Sequence, residues 1–184
     1  MLSHLHDLIK DKEILILGFG REGRSTLNRI LEVGDAAGIT IADGNEALTL
    51  PDAMEITTLS GDRKSVSTEG ISLLTGAHYM DSLEDYDVIF KSPGVVLPKA
   101  ADDYTCLITS QAEVFFEAYR EQIIGITGTK GKSTTSTLLY HILRKSGMDT
   151  VLAGNIGIPF FDILEQITPA SRIVCELSCH QLEY

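Results

Sequence analysis

Several groups of residues have types and spacing suited to chemistry. The first is Gly125-Ile126-Thr127-Gly128-Thr129-Lys130-Gly131-Lys132-Ser133, a glycine-rich turn ending in G-K-S. In such a turn the backbone N–H groups and the positive end of the following helix face an anion. Lys132 can reach nucleotide phosphates there, and the Ser133 hydroxyl can ligate Mg²⁺. The ordinary pattern, G-x-x-x-x-G-K-[ST], would place its first glycine where this chain has Ile126; here the glycines fall at 125 and 128. The stretch reads as a phosphate cradle, with a plain strand-to-helix turn as the alternative. A second group is Gly18-Phe19-Gly20-Arg21-Glu22-Gly23, a full G-x-G-x-x-G, followed by Asp43 at the end of the next apolar run. A dinucleotide-binding fold would put a ribose-binding acid there. Under the competing reading the glycines serve only tight packing, and Asp43-Gly44-Asn45 is a turn.

Glu176 closes the apolar run Arg172-Ile173-Val174-Cys175-Glu176-Leu177. A carboxylate there is costly unless partnered, so Glu176 is either a second Mg²⁺ anchor beside Ser133 or a group already in solvent. Lys91-Ser92-Pro93-Gly94 is a turn able to expose N–H groups to an anion, or a simple interdomain turn. Gly154-Asn155-Ile156-Gly157 ends another strand, where ligands collect in open α/β sheets; Asn155 either touches one or merely tolerates the turn. Ser178-Cys179-His180-Gln181 is a polar cluster in which nothing pairs His180 with a nucleophile.

The elements that must position these groups alternate. Buried-strand patterns occupy 13–17, 38–42, 87–90, 105–109, 122–127, 150–153 and 172–177, and 54–59 and 71–74 also look like strands. Helices are expected after Gly23, beginning at Ser25 or Thr26 and ending at Gly34, over 80–86, over 111–120 with Val114, Phe115 and Ala118 inward, after Gly131 with Leu138, Leu139, Ile142 and Leu143 at helical spacing, and over 160–167 with Phe161 and Leu164 inward. The pattern predicts an α/β protein. Its N-terminal Rossmann-like parallel-sheet domain spans 1–91, and the first part of a P-loop-type ATP-binding domain spans 92–184.

With 43% hydrophobic and 22% charged residues, the composition is that of a globular protein. Fifteen basic and 26 acidic residues give a net charge of −11, which argues against a nucleic-acid surface. Any anionic ligand must be met locally, by Arg21, Arg24, Lys91, Lys130 and Lys132. The apolar runs are too short to cross a membrane and no secretory pattern opens the chain, so a cytoplasmic location is expected. Cys106, Cys175 and Cys179 form no C-x-x-C pair and suit reduced, mostly buried thiols.

The central glycine loop, Gly154-Asn-Ile-Gly157, and Glu176-Leu-Ser-Cys-His-Gln-Leu-Glu183, in this order, resemble the Mur ligases of bacterial cell-wall synthesis, and among them the branch that adds D-glutamate. That branch continues its glutamate strand as E-L-S-S-F-Q-L-E; Cys179 and His180 stand where it has Ser and Phe, and Arg21 and Glu22 where it often has smaller or apolar residues. The resemblance implies an ATP-dependent amide ligase. UDP-N-acetylmuramoyl-L-alanine would be activated as an acyl phosphate and attacked by D-glutamate, in a monomer with no nucleic-acid or membrane partner.

It also implies roles for single residues. Gly128, Thr129, Lys130, Gly131, Lys132, Ser133 and Thr134 would bind ATP, with Lys132 carrying catalysis. Thr129 and Ser133 with Glu176 would organise Mg²⁺, while Asn155, Ser178 and Gln181 would hold the muramoyl part. UDP rather than NAD would lie on Gly20, Arg21, Glu22, Asp43, Ser92, Pro93 and Gly94. The family carries a carbamylated lysine and a further domain after the matched region, so a fragment that binds UDP-linked substrate without turnover is expected. An NAD-dependent oxidoreductase would explain 18–43 but not 125–133; a non-catalytic UDP-sugar-binding module is the other alternative.

Overall fold

A computed structural model describes residues 1–182; Glu183, the last letter of the glutamate motif, lies outside the described residues. The chain divides into two compact units, Met1–Gln111 and Ala112–Tyr184.

The first unit is built on a five-stranded, wholly parallel sheet of β1 (Glu13–Leu17), β2 (Gly38–Asp43), β5 (Ile71–Thr75), β6 (Val88–Lys91) and β7 (Leu107–Thr109), in the order β5-β2-β1-β6-β7. The central strands are near-continuous apolar runs because both faces are covered: Ile14, Leu15, Ile16 and Leu17 are all fully buried. Helices α1 (Leu2–Ile9) and α2 (Arg21–Val33) pack together, with Leu5, Ile9, Leu27 and Ile30 buried. Leu2, Leu5 and Ile9 carry a helical spacing that the sequence reading passed over.

The unit departs from the sequence expectations at several points. Helix α2 begins at Arg21, not at Ser25 or Thr26. The glycine turn itself delivers the chain into the helix, and a Cβ on Gly23 would stand 2.2 Å from the Gly18 carbonyl oxygen. Between β2 and β5 a two-stranded antiparallel ribbon is inserted, β3 (Ala53–Thr57) with β4 (Arg63–Ser67). The second of these, Arg-Lys-Ser-Val-Ser, has too little apolar character to read as a strand. Residues 80–86 hold only a 3₁₀ turn at Leu83–Asp85. The break between units falls after Gln111 rather than at 91, because β7 pairs with β6 and so joins the first sheet.

The second unit holds a parallel three-stranded sheet of β8 (Ile123–Ile126), β9 (Thr150–Gly154) and β10 (Arg172–Glu176), ordered β8-β10-β9. Helix α3 (Gln111–Tyr119) leads in, α4 (Lys132–Lys145) connects β8 to β9, and a 3₁₀ segment, Phe160–Gln166, connects β9 to β10. The core centres on Phe115, whose ring stacks on Phe160 at 4.9 Å and meets Tyr119 at 4.8 Å. Phe161, Leu164 and Val114 are buried as expected, whereas Ala118 is exposed. Helix α4 lies mainly on β9 and β10. Its Leu138 and Ile142 point away from them and are 58% and 54% exposed.

Candidate functional site

In the second unit every residue of interest lies at or just beyond the carboxyl end of a strand. Glu176, the last residue of β10, is paired on one side with Ile126 of β8 and on the other with Gly154 of β9. The glycine loop leaves β8 one residue after the first partner, and Asn155 leaves β9 one residue after the second. Ligands of open α/β sheets gather at such strand ends.

Within the loop, Gly128 and Gly131 hold positive φ (+141° and +78°), and Gly131 is the N-cap of α4. Among the described residues no side chain caps that helix end, so its first N–H groups remain available to an anion. Lys132 opens the helix, its Nζ donating to the Gly128 carbonyl at 2.7 Å; Ser133 and Thr134 follow, both exposed. Gly125, by contrast, lies in β8 opposite Cys175, where a Cβ would crowd the Leu177 side chain at 3.2 Å. The glycine that breaks the ordinary spacing therefore belongs to the strand; the loop proper is Gly128 to Gly131.

Glu176 is 2% exposed. Its Oε1 accepts from the Asn155 side-chain amide at 3.0 Å, and its Oε2 is buried with no hydrogen-bond partner among the described residues. A buried carboxylate oxygen left unpaired is costly, and a hard cation is one kind of partner that would remove the cost. No cluster of three or more metal-ligating side chains occurs among the described residues. A lone carboxylate on the strand beside a glycine loop is a donor set of the kind that suits Mg²⁺, which keeps waters and takes phosphate oxygens. The strand end is closely built: Asn155 N donates to Glu176 O and Leu177 N to Ile126 O. Ser178 N and Oγ both contact Gln181 Oε1, at 3.0 and 3.2 Å, which ties this pair into one unit. Cys179 is exposed beside them, unlike Cys175, whose thiol burial pushes up to about 12.

In the first unit the order of strand addition reverses at β1, with β2 on one side and β6 on the other, and the glycine turn and the Ser92-Pro93-Gly94 turn leave the neighbouring strands β1 and β6. A ligand crevice is expected at that switch point. Ser92 Oγ donates to the Gly18 carbonyl at 2.8 Å, and Ser92 N to Leu17 O. Gly18 has φ +89°, and a Cβ there would overlap Ser92 and Val95 at 2.9 Å. Asp43 accepts from Phe19 N at 2.6 Å and from Asn45 N at 2.9 Å. Gly20 is the N-cap of α2, with Arg21 exposed behind it and Glu22 half-buried. Arg24 lies over the Phe19 ring at 4.5 Å. The fold thus joins Asp43, the glycine turn and the Ser-Pro-Gly turn by direct hydrogen bonds.

Residues 126–184, the segment holding the loop, Asn155 and Glu176, match the Mur ligase middle domain. Over 95% of its length the chain is 35% identical to a UDP-N-acetylmuramoylalanine–D-glutamate ligase of Clostridium kluyveri. Residues 126–184 thus match the Mur ligase middle domain, and the chain along nearly its whole length is similar to Mur ligases. Ligases of the same name from Clostridium novyi and Clostridium botulinum are each 34% identical over 98% of it. The chain spans 36% of the length of the C. kluyveri relative and 38% of the other two. What the sequence reading missed is the hydrogen bond from the Asn155 side-chain amide to Glu176, for which residues so far apart along the chain leave no local signal.

Proposed function

We propose that the second unit is part of the ATP site, and the first unit the UDP-substrate site, of a ligase that joins D-glutamate to UDP-N-acetylmuramoyl-L-alanine through an acyl phosphate. The observation that carries it is the buried Oε2 of Glu176, without a hydrogen-bond partner among the described residues, on the strand beside the glycine loop. ATP supplies the phosphoryl group that activates a carboxylate, and Mg²⁺ neutralises charge on it. Gly128, Thr129, Lys130, Gly131, Ser133 and Thr134 hold the phosphates through loop amides and hydroxyls, and Glu176 with Ser133 anchors the metal. Lys132 exchanges its contact with the Gly128 carbonyl for phosphate oxygens and stabilises the charge being transferred. Asn155, Ser178 and Gln181 line the muramoyl side, while Gly20, Arg21, Glu22, Asp43 and Ser92, Pro93 and Gly94 receive UDP. The enzyme works in the cytoplasm as a monomer; no described helix is long and apolar enough to span a membrane.

Calorimetric titration tests this reading. The chain should bind UDP-N-acetylmuramoyl-L-alanine and be indifferent to NADH; tight NADH binding with no response to the UDP ligand overturns it. In the full-length ligase, Lys132→Ala should abolish D-glutamate-dependent phosphate release.

A further inference from the structure

We propose that Asn155 is a positioning residue for the metal-binding carboxylate, holding Glu176 so that Oε2 alone meets the cation. The proposal takes the nucleotide reading of this site as its premise. Asn155 grips Glu176 at two points, its backbone N–H on the Glu176 carbonyl at 2.8 Å and its side-chain amide on Oε1 at 3.0 Å. A carboxylate only accepts, so the amide must present its nitrogen to Oε1. That contact stops rotation of the carboxylate and occupies one oxygen, while the neutral amide leaves the full negative charge in place. The other oxygen is buried and without a partner among the described residues.

The backbone that delivers the amide is equally constrained. Gly154 has φ +99°, and a Cβ there would sit 2.2 Å from the Glu176 carbonyl oxygen, so β9 can turn beside Glu176 only through a glycine. The Asn155 side chain itself is exposed. Substituting it therefore leaves the backbone grip intact and removes the amide contact alone. A metal held by Oε2 is thus held by one oxygen rather than two, and its affinity depends on Asn155 although Asn155 does not touch it.

The test uses Mn²⁺ as a paramagnetic probe, its uptake by this chain in the presence of ATP followed by electron paramagnetic resonance. Asn155→Ala should weaken Mn²⁺ uptake about tenfold, and Asn155→Ser, too short to reach Oε1, should do the same. ATP affinity measured in EDTA should stay within about twofold. In a Glu176→Gln background the further change Asn155→Ala should alter Mn²⁺ affinity less than about twofold, because the two residues act as one. An undiminished Mn²⁺ affinity in Asn155→Ala, an equal loss in the Glu176→Gln background, or a parallel loss in EDTA overturns the proposal. A wild-type chain that takes up no Mn²⁺ with ATP overturns the nucleotide reading, and the role of Asn155 with it.

Discussion

Replacing Gly154 by alanine tests how tightly the strand ends are built, and Gly147 supplies the control. Both glycines hold positive φ, +99° and +87°, so an alanine at either costs about 1–2 kcal/mol in backbone conformation. At Gly147 a new Cβ meets nothing within 4 Å. At Gly154 it lies 2.2 Å from the Glu176 carbonyl oxygen; ordinary contact begins at 3.4 Å, so the backbones must part by 3.4 − 2.2 = 1.2 Å. That opening breaks the Asn155 N–H bond to the same carbonyl, now 2.8 Å. The lost bond and the overpacking add about 2–5 kcal/mol over the control. Native-state hydrogen exchange of the β10 amides reads this unit alone. Gly154→Ala should lower their protection at least about 30-fold more than Gly147→Ala. Protection in the two variants within about threefold would refute the close approach of β9 and β10 at this point.

Asp43→Asn leaves one oxygen where two now accept from Phe19 and Asn45. It should cost about 1.5–3 kcal/mol, seen as faster exchange of the Phe19 amide; an unchanged rate would show that the carboxylate does not hold the turn. Phe115→Ala removes the ring stacked on Phe160 and should destabilise the second unit by about 3–5 kcal/mol, measured by the same β10 exchange. Hydroxyl donation from Ser171 and then Thr168 holds the Asp149 carboxyl below its usual range. A depressed folded-state value means a contribution present above the unfolded value and lost as pH falls through the folded one. The stability gap between wild type and Asp149→Asn should therefore close as pH drops from about 5 toward 2; a constant gap would remove Asp149 from the acid response.

Legibility in the sequence followed the range of the interactions. Strands β1, β6 and β10 were readable because burial on both faces makes each a short apolar run, and β2, β8 and β9 because their apolar, largely β-branched residues keep a strand pattern even where, as in β8, they are only half-buried. The ribbon strand Arg63–Ser67 was not, since pairing on one edge demands no such run. The start of α2 was misplaced by reading Ser25 and Thr26 as caps, when Gly20 caps the helix and both side chains are buried. Leu138 and Ile142 obey the helical period yet are exposed, because periodicity marks a face without saying what covers it.

Residue type and local spacing alone determined the two glycine turns, the lysine and serine that open α4, the acid ending β2 and the acid ending β10. Each depends on neighbours a few positions away, where φ preference, capping and burial act directly. Strand order belonged to the tertiary structure. Placing β10 between β8 and β9, and β6 beside β1, sets Glu176 between the glycine loop and Asn155, and Ser92 against Gly18. The strand pattern over 122–127 already held Gly125; what the tertiary structure adds is why a glycine stands there, since the lack of a side chain accommodates Leu177. Such contacts join residues twenty to seventy positions apart, and only the free energy of the whole packed sheet chooses among the orders that the same strands permit.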